Sequence, residues 1–142
     1  MARNAALIGL LVLLAAGSAT AAAMTVRDEM KALVEPASNT IFALGGDVDP
    51  ANGPDAAKVE MARWQQGLIA AQALKLAAID LNGSQKRPDP AWVASAGDFA
   101  KLTADLEAAA TTRNGAAFST AANALGDTCS ACHAKFKPQA GE

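Results

Sequence analysis

Cys129, Cys132 and His133 sit together near the C-terminal end, as Cys129-Ser130-Ala131-Cys132-His133. Two thiols three positions apart can each add to a vinyl group of one haem, giving two thioether bonds. An imidazole directly after the second thiol then lies over the macrocycle and can ligate the iron from the proximal side. These five residues hold both cysteines and the single histidine of the chain. No sulfur is left for a disulfide elsewhere, and no second imidazole is available as an axial ligand. One covalently attached haem c per chain is the reading these residues favour.

Other uses of a Cys-x-x-Cys pair fit less well. A redox dithiol of that spacing normally follows a strand at a helix N-terminus, and here alanine-rich helical sequence precedes it. A structural zinc site takes about four ligands, and the chain offers three candidates. A disulfide across two intervening residues would be strained and would staple almost nothing.

The N-terminus carries the marks of export. Arg3 gives a positive start, Leu7 to Ala16 is an apolar run too short to span a bilayer comfortably, and Gly17 to Ala23 offers Ala-x-Ala cleavage sites. Residues 1–23 are expected to be a cleaved signal peptide and residues 24–142 a single domain, placed in the periplasm. Cleavage after Ala23 leaves 119 of the 142 residues. The signal also inflates the apolar content of 51 % and the mean hydropathy of +0.14, so neither argues for stable membrane insertion. With one basic and no acidic residue removed from a chain of net charge −2, the remaining domain has charge −3. That balance argues against nucleic acid as a partner.

Between signal and motif everything reads as helix, in four segments separated by turn residues. The first runs from about Thr25 to Leu44, with Val26, Met30, Leu33, Ala37, Ile41 and Leu44 as its apolar stripe; Pro36 should kink or break it. The second opens at Pro54-Asp55 and ends at Asn82-Gly83, with Val59, Trp64, Leu68, Leu74, Ala78 and Leu81 inward. The third begins with Asp89 as N-cap and Pro90 as first helical residue, burying Trp92, Ala96, Phe99, Leu102 and Leu106. The fourth runs from Ala116 to about Lys137, and Phe118, Ala122, Leu125, Cys129, Cys132 and Phe136 repeat at helical spacing. Four such helices predict an all-α, antiparallel up-down-up-down four-helix bundle with the haem at one end.

That topology brings the start of the first helix beside the end of the fourth. Met30 is then the candidate distal axial ligand opposite His133, since methionine sulfur binds haem iron and raises its potential. Met61 falls toward the other end, roughly 20 Å away at 1.5 Å per residue. Leu74, Ala78 and Trp92 should line the pocket, and the Trp92 indole N–H needs a partner there. Arg27, one turn before Met30, can reach a propionate. Trp64 reads as core. No carboxylate cluster or nucleophile–base pair suggests an enzyme.

A Cys-x-x-Cys-His at the C-terminal end of an alanine-rich four-helix chain resembles the class II cytochromes c, the high-spin cytochromes c-prime and their low-spin, methionine-ligated relatives. The likeness is strongest at Cys129 to Lys137, similar to the family's Cys-x-x-Cys-His-x-x-aromatic-Arg ending, with Lys137 where arginine is usual. Arg27 to Lys31 is similar to the segment that carries the methionine ligand in low-spin members, and Asp89-Pro90-Ala91-Trp92 resembles the family's entry to the third helix. The resemblance implies a periplasmic one-haem protein that passes electrons between redox partners, with His133 and Met30 on the iron. The alternative it implies is a high-spin protein that binds small gases such as nitric oxide at a vacant distal site. Family members often form homodimers through the first two helices, but the sequence displays no clear exposed apolar stripe for that.

Overall fold

Thr25 starts the first helix: its backbone is extended and its hydroxyl accepts the Asp28 N–H at 3.1 Å, satisfying one of the donors that a helix start leaves open. The structure is a computed structural model that describes residues 24–83 and 89–137. The expected signal peptide lies outside those residues.

Helix α1 is a continuous run of three stretches: Val26–Glu29, a π-helical turn Met30–Val34, and Glu35–Asp47. Pro36 was expected to kink or break it and does neither. The Glu35 N–H reaches five residues back to the Met30 carbonyl, and Met30, Val34 and Glu35 all keep right-handed helical dihedrals. Proline has no N–H, and its ring crowds the carbonyl four residues before it. The wider turn just upstream takes up that conflict. Leu33, expected inward, is 39 % exposed, and Val34 is buried in its place. The helix also continues through Gly45 and Gly46, past its expected stop at Leu44.

Short 3-10 turns, Pro50–Lys58, follow, with Asp49 capping and Gly53 at φ 67° where a side chain would be strained. They contain Pro54, so the second helix, α2, begins later than expected, at Met61, and spans Met61–Asn82. Val59 precedes it, half-buried, rather than standing on its inner face. Helix α3, Pro90–Thr112, starts on Asp89, whose carboxylate accepts the Ala91 N–H at 2.8 Å. It stops at Arg113 (φ 52°), and Asn114 caps α4, Gly115–Phe136, by accepting the Ala117 N–H. Among the described residues there is no strand.

The four helices pack in a ring, each against its two neighbours in sequence and α4 back against α1. All neighbours are antiparallel. Arg63 pairs with Asp47 at 2.9 Å across α1–α2. Lys75 pairs with Glu107 at 2.6 Å across α2–α3. Ile41, Leu44, Leu74, Leu106, Phe118 and Leu125 are fully buried, and the Trp64 ring meets Phe118 edge-on at 5.7 Å. Trp64 is core, as its sequence position implied. Small residues set the spacing: a Cβ on Gly45 would stand 2.7 Å from the Cβ of Ala122. The expected four-helix, up-down-up-down bundle is the one found.

The outer face of α2 corrects one expectation. Ile69, Leu76 and Ile79 are each about two thirds exposed, at 66 %, 67 % and 64 %. Ile69 also lines, with Leu33 and Pro36 of α1, an open apolar groove of about 390 Å³ between the two helices. An exposed apolar stripe therefore exists. It was hidden in the sequence because α2 is apolar on both sides.

Candidate functional site

One end of the bundle gathers the start of α1, the end of α2, the start of α3 and the end of α4. Trp92 ties three of these together. Its indole N–H donates to the Leu81 carbonyl at 2.8 Å, and its ring meets Phe136 edge-on at 5.3 Å. The partner that the buried indole required is thus the last turn of α2, and Trp92 itself is 5 % exposed.

Cys129 and Cys132 stand one turn apart on α4, both half-buried, neither in a disulfide, and both packed against the edge of the core. Burial, and then the neighbouring Cys132, pushes the Cys129 thiol above its ordinary pKa. His133 follows on the exposed flank of the same stretch. The helix supplies this arrangement directly. A three-residue step keeps both sulfurs on one side, and the next residue turns the imidazole to the flank. Two reduced thiols on one half-buried face, with a nitrogen donor beside the second, fit a group held by two thioethers and one axial bond. Among the described residues, no three His, Cys, Asp or Glu side chains gather as they would around a bare metal ion.

The remaining expected residues divide. Leu74 and Ala78 are fully buried on α2. Counting 1.5 Å per residue from the Leu44–Gly67 and Gly45–Ala122 contacts, they lie at about the level of Cys129 to His133. On the same count His133 is level with Val34 and Glu35, and Met30 is about one turn farther out. Met30 is half-buried and packs against the core edge, while Arg27 is exposed. Helix α4 packs on the Glu35–Asp47 part of α1, whereas Met30–Val34 packs on α2. Met61 is at the opposite end, as expected, with its sulfur 4.0 Å from Arg113 Nη1.

One residue of this end escaped the sequence reading. Glu29 is 1 % exposed, a carboxyl group buried on α1. The signal for it was Pro36, whose effect on the preceding turn decides which side chain faces inward.

Among the described residues no helix is long and apolar enough to cross a membrane. No curated protein and no solved structure matches the chain significantly. A family model does: residues 85–137, from the approach to α3 through the Cys129–His133 motif to the end of α4, match the family Cytochrome C', a class II cytochrome c family.

Proposed function

We propose that this chain is a periplasmic haem c protein that carries electrons between redox partner proteins. The observation that carries the reading is the placement of Cys129, Cys132 and His133 on one stretch at the end of α4, inside the segment that matches Cytochrome C'. The haem, when bound, supplies the one-electron iron couple. The chain's residues do the rest. Cys129 and Cys132 would hold the haem through their sulfurs, His133 would give its iron a ring nitrogen, and Met30 would be the candidate sulfur ligand, which favours the reduced iron. Leu74 and Trp92 line the apolar wall, keeping water from that side, and Arg27 at the exposed start of α1 pairs with a propionate. The role is transfer rather than enzymatic turnover. The acidic domain has no use for nucleic acid, and after signal cleavage it has none for the bilayer. A second copy of the chain is the partner for Ile69, Leu76 and Ile79 on α2.

A second reading is favoured by one observation. Met30 is half-buried and about one turn beyond the level of His133, an arrangement under which a bound haem would keep an iron position for a small gas such as nitric oxide. Protein matured with haem separates the two. Ferric magnetic circular dichroism with a sulfur–iron charge-transfer band that disappears in Met30→Ala supports electron transfer. High-spin iron that binds carbon monoxide readily supports the gas-binding reading. Absence of haem stain on a denaturing gel would sink both.

A further inference from the structure

The interval between inward side chains changes along α1. From Val34 onward it follows α-helical steps of three and four, through Ala37, Ile41 and Leu44. Backward from Val34, the next fully buried side chain is Glu29, five residues away. Five is the π-helical repeat, and the Glu35 N–H bond to the Met30 carbonyl spans the same interval. Met30, four residues before Val34, is only half-buried. An α-helical turn reverses the assignment: the position four back is Met30, and Glu29 rotates away from the interior. The π-turn therefore selects which of two chemically opposed groups, a carboxyl or a thioether, is presented at the bundle end where α4 carries Cys132 and His133.

The cause of the turn is local. Pro36 has no N–H to give the Ala32 carbonyl and crowds it in an α-helical ladder. Ala32, Leu33 and Pro36 are all exposed, and within the turn Val34 is the one buried side chain.

We infer that ligation of Met30 to the haem iron and the π-turn exclude each other: Met30 reaches the iron only when Met30–Val34 rewinds as α-helix. Pro36 sets the cost of that rewinding. This rests on the haem reading above. Pro36 is a positioning residue, since it acts on the iron only through Met30.

The test uses the haem-loaded protein as wild type, Pro36→Ala, Met30→Leu and the double variant. Haem staining of denatured samples comes first. A wild type without stain sinks the haem reading itself, and is told apart from a failure of the register because no ligand has yet been added. Imidazole is then titrated into each ferric form, where it must displace any sulfur ligand. Pro36→Ala is expected to bind imidazole at least about fivefold more weakly than wild type, because the α-helical register is no longer opposed. With Met30→Leu in both backgrounds the difference should vanish. Equal affinities in wild type and Pro36→Ala overturn the inference, as does a Pro36 effect that survives Met30→Leu. Pro36→Ser removes the same conflict with a different side chain and covers a Pro36→Ala chain that does not fold. Its imidazole affinity should be weakened likewise, and an affinity equal to wild type overturns the inference.

Discussion

Cys129 shows how much of the chemistry resides in single side chains and how much in their surroundings. Its identity and its distance from Cys132 and His133 are legible in the sequence, and so is its place on the inner stripe of α4. The consequence of its burial is not. Burial, reinforced by Cys132, lifts the thiol above its ordinary value of 9.0. A group raised in the folded state stabilises the fold fully below its unfolded pKa, and that contribution is lost as the pH rises through the folded one. In chain expressed without haem, the melting temperature should therefore fall between neutral pH and pH values above the ordinary thiol range. Cys129→Ala should remove that alkaline component while leaving the neutral value nearly in place. Parallel alkaline falls in the two proteins would show that Cys129 does not contribute it. Glu29 is the opposite case. Nothing in its own type or in its neighbours marks it as inward, because its orientation is decided seven residues away.

At the scale of elements, a helix start was readable only where a capping residue marks it. Asp89 with Pro90 is such a signal with a direct physical cause, and α3 begins where it places it. Pro54-Asp55 suggested the same kind of start, yet α2 begins at Met61, and Asn114, expected only to end the third helix, also caps the fourth. Pro36 announced a conflict with the helix ladder and suggested a kink or a break, but not that a widened turn, Met30–Val34, would absorb it without either. Glycines inside helices were equally ambiguous. Gly45 reads as a helix stop, yet it lies within α1, where α4 comes close enough that a Cβ would stand 2.7 Å from Ala122. An alanine cannot swing aside, so the helices must separate. Gly45→Ala should therefore destabilise the fold by about 1–3 kcal/mol, the usual cost of overpacking. Gly97, on α3 with open space where its Cβ would be, is the contrast. Gly97→Ala should gain about 0.5–1 kcal/mol from helix propensity. Chemical denaturation of the two variants decides: a stabilised Gly45→Ala would contradict the close approach of α1 and α4.

For the molecule as a whole, the bundle was readable because four apolar stripes and short connections leave few alternatives. Its outer surface was not. In α2 the inward residues Leu74 and Ala78 and the outward residues Leu76 and Ile79 alternate too densely for periodicity to separate them. Only burial does so. If that outward stripe is the contact between two copies of the chain, Leu76→Glu should leave the fold intact and convert a dimer to a monomer. Sedimentation velocity at several concentrations reads this directly, and a monomeric wild type removes the assignment.

Helix α1 is one unbroken helix with two kinds of neighbour. Its Glu35–Asp47 half lies against both α2 and α4, whereas Met30–Val34 leans on α2 and is joined to the rest through a widened turn. In time rather than in space, this means that a single helix has two lifetimes. Amide protons near Ile41 and Leu44 should exchange with solvent only when the bundle opens globally, while those of Val26 to Val34 escape through local opening. Hydrogen exchange should resolve this step within one helix, and uniform protection from Glu29 to Leu44 would contradict it. A fold arranged in this way can stay closed at one end while the other end yields.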